Sequence, residues 1–184
     1  MNLNKLRDKA YQCAIAHGWH DEDLSDEHFL CLIISELMEA VEADRKGRHA
    51  NRDLFEYYMN QKARSDDEFI YAFKHGIKDT VEDELADACI RIFDLAGLIN
   101  IDLDCLDYDQ SDTMDYLEMR FTEAVFHLCR FATDDFYITN DNLPLLLNEI
   151  FAFCQDREID IFWHIEQKMK YNELRPYKHG NKNY

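Results

Sequence analysis

The chain has 184 residues, 47% of them hydrophobic, with two prolines, five glycines and a formal net charge of −18. That size suits one well-filled domain and falls short of two, so residues 1–184 are expected to form a single domain. The charge argues against nucleic-acid or anionic-membrane adhesion, and a phosphate-bearing ligand would need divalent cations or a local basic patch to approach.

The scarcity of breakers and the absence of sustained period-two alternation predict an all-α class, a helical bundle. No apolar stretch nears the roughly 20 residues of a bilayer span. The polar start MNLNKLRDK lacks the apolar centre of a signal peptide, so a cytoplasmic protein is expected. Cys13, Cys31, Cys89, Cys105, Cys129 and Cys154 contain no C-x-x-C pair, so core packing is expected of them.

The first predicted helix covers about 3–17, with Leu6, Ala10, Cys13 and Ala14 on one face and Gly18 as its stop. Trp19 follows, either as a plug for the turn or as an aromatic wall for a nucleobase. His20 reads as a surface residue.

A second helix, about 26–46, follows Ser25 as N-cap, with Asp26 and Glu27 in the first turn where the helix dipole favours acid. Its centre, LCLIISELMEAVEA, is apolar except for Glu36 and Glu39, which a spacing of three puts on one face. No Lys or Arg lies between Leu30 and Asp44. Unpaired charge against a core is expensive, so the compensating cation has to come from elsewhere in the chain or from a bound metal. The matching segment is Glu84-Leu85-Ala86-Asp87.

The connection 48–78 is too long to be structureless. Short helices are expected around Leu54–Met59 and Phe69–Phe73, folding over the site or a partner subunit. A helix over about 80–98 follows, with Leu85, Cys89, Ile92, Phe93 and Ala96 as its buried stripe. Glu84, Asp87, Ala88 and Arg91 share another face. Arg91 is either a salt-bridge partner for these acids or a phosphate contact.

Three further helices are expected at about 114–131, 143–156 and 159–172. Leu117, Phe121, Val125, Leu128 and Cys129 form the core stripe of the first, Leu146, Leu147, Ile150, Phe151 and Cys154 that of the second. Glu123, His127 and Glu149 read as satisfied or surface polar positions. FTEAVFHLC faintly echoes the first acidic helix. The closing segment KMKYNELRPYKHGNKNY reverses the charge locally through Lys168, Lys170, Arg175, Lys178 and Lys182. It is either a frayed tail or, with Asn172, Arg175, Tyr177 and His179 as hydrogen-bonding types, a phosphate clamp.

SELMEAVEADRKG, DELADACIRIFDLAG, HGWHD, IKDTVEDELADA and YNELRPYKHGNK together resemble the MazG-like, all-α nucleoside triphosphate pyrophosphohydrolases. The likeness covers roughly the amino-terminal half and the last twenty residues. The interval between the acidic pairs is longer than usual there. Ser35 stands where many relatives place another Glu, and about 103–158 reads as a helical insertion within the core of helices 3–17, 26–46, 80–98 and 159–172.

The resemblance implies a bundle that hydrolyses a nucleoside triphosphate to the monophosphate and pyrophosphate with Mg²⁺, Mn²⁺ being the alternative. It implies a homodimer or larger assembly. Glu36, Glu39, Glu84 and Asp87 would be the metal ligands, which suits a hard cation that prefers carboxylate oxygen. Glu39 would accept a proton and Arg91 would assist catalysis. Trp19, Lys78, Lys168, Asn172, Arg175, His179 and Lys182 would contact substrate. A ferritin-like di-iron site is disfavoured because it requires Glu-x-x-His twice. A catalytically silent bundle that binds a nucleotide or a protein is the alternative.

Overall fold

The computed structural model describes residues 2–61, 65–104, 113–133 and 142–181. Among them the fold is all-α, without strands. The helices are α1 (Leu3–Ala16), α2 (Asp26–Arg45), α3 (Arg52–Asn60), α4 (Asp66–Gly76), α5 (Val81–Leu98), α6 (Phe121–Thr133), α7 (Asn142–Asp156) and α8 (Ile161–Glu173), followed by a short turn, α9 (Lys178–Asn181). No described helix is long and apolar enough to cross a membrane.

Helix α5 is the hub, packing against α1, α2, α7 and α8. Twelve of its 18 residues are buried, including the whole predicted stripe. Leu85, Ile92, Phe93 and Leu95 each contribute about 1.5–3 kcal/mol by burial, and α7 adds Leu143, Leu146, Leu147, Ile150, Phe151 and Phe153 to the same core. Thr80 starts it by accepting from the Asp83 amide at 3.3 Å and donating to the Ile77 carbonyl at 2.6 Å. At its other end α1 comes close because position 97 is Gly: a Cβ there would lie 2.5 Å from Tyr11 Cβ.

Helix α6 lies on α2 and α7, and α7 also meets α5, so this segment completes the main apolar core. Hairpin α3–α4 builds a second apolar cluster, in which Phe73 stacks on Tyr171 of α8 with ring centroids 4.4 Å apart. The long connection is therefore helical, and its main anchor is α8.

Helix α6 starts at Phe121, seven residues later than the sequence pattern suggests. The stretch 114–120 is irregular, and Leu117, expected in the core, is 64% exposed. Tyr116 is buried in its place, its hydroxyl donating to Glu149 at 2.6 Å, and its amide donates to Asp156 at 3.0 Å. These contacts tie the backbone to α7 and stop it from coiling. Cys89 and Cys154 are buried, whereas Cys31 is exposed on α2, and Cys105 lies outside the described residues.

Candidate functional site

The groove between α2 and α5, closed at one side by α8 and the carboxy-terminal turn, is a cleft of about 170 Å³. Its floor is acidic. One carboxylate oxygen each from Glu36, Glu39 and Glu84 lies within 4.8 Å of the other two. Oxygens bound to one octahedral Mg²⁺ at about 2.1 Å are about 3–4 Å apart, so slight side-chain adjustment would let the trio share an ion. Glu36 and Glu84 are buried and Glu39 is exposed, so the cluster opens to solvent on one side.

Burial and neighbouring carboxylates disfavour the charged forms. Glu36 is pushed up to about 7, by desolvation first and by Asp87 next, despite Arg91. Glu84 rises to about 8, again mainly by desolvation, against the pull of Lys168. Carboxylates held at such values gain from any cation that joins them.

Asp87 lines the same cleft but is already engaged. Lys168 Nζ sits 2.7 Å from Asp87 Oδ2 and 2.8 Å from Asp83 Oδ2, and the Asn172 amide lies 3.5 Å from Asp87 Oδ1. Lys168 is 4% exposed and Asp83 1% exposed. The two aspartates hold the lysine pKa above its ordinary value against the desolvation that would lower it. Asp83 Oδ1 finds no hydrogen-bond partner among the described residues. Lys168 is thus a brace within α5 and α8, with its charge committed to carboxylates.

Arg91 Nε donates to Glu36 Oε1 at 3.1 Å, yet the side chain keeps 28% of its surface and lines the cleft. Lys78 pairs with its neighbour Asp79, and both stand at the cleft. Asp79 has a positive φ of 59°, and its amide donates to Asp83 Oδ2 at 3.0 Å, which turns the chain from α4 into α5.

The remaining wall is the carboxy-terminal segment folded against the turn after α1. Lys178 N donates to the His17 carbonyl at 3.0 Å, and Tyr177 donates its hydroxyl to Asp21. The His17 ring reaches the Cys13 carbonyl at 2.7 Å and the Arg175 carbonyl at 3.0 Å. The ring of His179 stands edge-on to Trp19 at 5.0 Å. Burial, with Arg175 and His17 nearby, pushes His179 down to about 3, so the ring is neutral. Arg175, His179 and Trp19 all face the cleft; Lys182 lies outside the described residues. Trp19 both packs the turn and presents a ring to the cleft.

No family model, curated protein or solved structure matches this chain. What the cleft can do therefore rests on its own chemistry.

Two contributors escape a reading of the sequence. His20 is not a surface residue: its Nε2 donates to Asp94 Oδ1 at 2.8 Å, with side chains 10% and 7% exposed. Asp94 does continue the 84, 87, 91 stripe of α5, and that spacing is the one signal that could have drawn attention to it. His17 left no comparable signal, because its role depends on a carbonyl 158 residues away.

Proposed function

We propose that this chain is a divalent-metal-dependent nucleoside triphosphate pyrophosphohydrolase of the MazG-like kind. The observation that carries the proposal is the convergence of Glu36, Glu39 and Glu84 in one cleft that also contains Arg91, Arg175, Lys78 and the Trp19 ring. Acids that favour a metal, cations that favour phosphate and an aromatic face that favours a base occur together.

Glu36, Glu39 and Glu84 would hold Mg²⁺ or Mn²⁺, with Asp87 beside them. The buried, upshifted carboxylates and their spacing fit such an ion. When bound, the ion supplies neutralisation of the phosphates and a more acidic water. Glu39, exposed at the mouth, accepts the proton of the attacking water. The water oxygen bonds to the α-phosphorus, the bond from that phosphorus to the β-phosphate oxygen breaks, and pyrophosphate leaves. Arg91 and Arg175 offer their guanidinium groups to the phosphates, as planar forks suit them. Lys168 fixes Asp87 and leaves the phosphates to more exposed cations. The implied homo-oligomer and cytoplasmic setting belong to the same proposal.

Release of pyrophosphate from a nucleotide panel with Mg²⁺ or Mn²⁺ tests it. Glu36→Gln and Asp87→Asn should each abolish the release, and unchanged activity in both would sink the metal assignment. The second reading, a silent bundle, draws on the Arg91–Glu36 and Lys168–Asp87 pairs, which already partly neutralise the acids. A protein that takes up no Mg²⁺ or Mn²⁺ in calorimetry would favour it.

A further inference from the structure

A second cavity, of about 150 Å³, adjoins the carboxylate cleft. Trp19, Arg91 and Asp94 line both spaces, so shared side chains, not a packed layer, divide them. Asp94 follows Asp87 by seven residues on the same face of α5, about 10 Å along the helix at 1.5 Å per residue. A ribose and its base cover that span when the α-phosphate sits at the carboxylates. Leu24, Phe29 and Leu32 give it an apolar side, and Glu22, His28 and Lys178 also line it.

Resting on the triphosphate reading above, we propose that this cavity is the base subsite and that Asp94 makes it select cytosine over uracil and thymine. The size is that of a single ring: an apolar cavity of about 150 Å³ accommodates benzene. The polarity follows from Asp94: burial raises its carboxyl above the usual range, His20 and Arg91 pull it back toward the charged form, and in that form it only accepts hydrogen bonds. One oxygen is taken by His20, and the His20 ring is fixed between Tyr11, edge-on at 5.1 Å, and Phe29, stacked at 5.6 Å. The carboxylate is thereby positioned before any ligand arrives.

Its second oxygen accepts from the exocyclic amine of cytosine, a pairing that aspartate makes readily. Uracil and thymine present a carbonyl at that place, and two acceptors would then face each other. Arg91 and Lys178 also line the cavity and bring donors, but the 2-carbonyl they could meet is common to all three bases.

The test compares kcat/KM for the cytidine, uridine, adenosine and guanosine triphosphates, and for the deoxy series with thymidine triphosphate. The wild-type protein should favour cytidine over uridine by about 10- to 100-fold, the usual effect of leaving a buried polar group unpaired. Asp94→Asn should narrow or reverse that ratio, because His20 holds the amide oxygen and the amide nitrogen then faces the base and donates to the uracil carbonyl. A wild-type enzyme that is indifferent to the base or prefers purines overturns the subsite and leaves the hydrolase reading intact. Equal loss on every substrate in Asp94→Asn does the same. The wild-type ratio decides the matter even if the variant fails to fold. If no triphosphate is hydrolysed, the hydrolase reading fails, and calorimetry with α,β-imido cytidine and uridine triphosphates judges the cavity: tighter cytidine binding supports it, and equal or absent binding overturns it.

Discussion

A lysine in a basic segment invites assignment to a phosphate, yet Lys168 spends its charge on Asp83 and Asp87 in the interior. Removing one partner of a buried ionic cluster leaves uncompensated charge. Lys168→Met should therefore destabilise the protein by roughly 3–5 kcal/mol at neutral pH. Urea denaturation would measure this. The loss should shrink at pH 5, because burial already pushes Asp83 up to about 6 and it can protonate once its lysine is gone; a loss no larger at pH 7 than at pH 5 would contradict the brace. Gly18 makes a different demand. Its φ is +77°, and a Cβ there would lie 2.4 Å from the Tyr177 ring. Gly18→Ala should cost about 1 kcal/mol of backbone strain and loosen the Tyr177 contact. A raised KM with a nearly unchanged kcat would be its kinetic sign.

The carboxy-terminal segment acts as a strap over the cleft, held by His17, Asp21 and the Trp19 ring. A chain ending before Arg175 keeps α1 through α8 and should fold, but it loses Arg175 and His179 from the cleft wall. Its KM for the triphosphate should rise, and wild-type KM and kcat would remove the strap from the binding site. Helix α8 also carries a pH-dependent element. His164 is 7% exposed, its Nδ1 has no partner among the described residues, and burial pushes its pKa down to about 4 from 6.5. The unfolded chain binds that proton more readily. Stability is therefore intact above pH 6.5 and falls by about 3 kcal/mol as pH drops from 6.5 to 4. His164→Leu should flatten this limb in a Tm–pH profile, and an unaltered limb would locate the acid sensitivity elsewhere.

At the scale of the whole molecule the acidic cleft pulls the other way. Glu36 and Glu84 bind protons more tightly folded than unfolded, at about 7 and 8 against 4.5. The stability they bring is complete below pH 4.5 and is lost as pH rises through 7 and 8. A cation in the cleft competes with those protons and stabilises the folded state by mass action. Mg²⁺ should therefore raise Tm more at pH 8.5 than at pH 6, and Glu36→Gln should remove most of the increment. An equal rise at both pH values, or one that survives in Glu36→Gln, would place the ion outside the cluster.

Much of this molecule is legible in the chain because helix periodicity is a local property. Leu85, Cys89, Ile92, Phe93 and Ala96 repeat at helical spacing and are all buried, and Thr80, Gly18 and Gly47 lie at helix ends. Glu36 and Glu39 are visible for the same reason, since a charge without a local cation in an apolar run needs a distant explanation. Local pattern misleads where a tertiary contact outweighs it. Residues 114–120 have helical spacing, but hydrogen bonds to Glu149 and Asp156 hold them irregular and leave Leu117 in water. The Lys168 brace spans 85 residues to Asp83, His20 meets Asp94 across 74, and the Arg175 carbonyl caps His17 across 158. Sequence alone determined the all-α class, where most helices run and which acids ask for a cation. Only the packing of α1, α2, α5 and α8 decided which cations answer internally and what surrounds the carboxylates. Ion pairs and burial depend on distances through space, which periodicity along the chain does not encode.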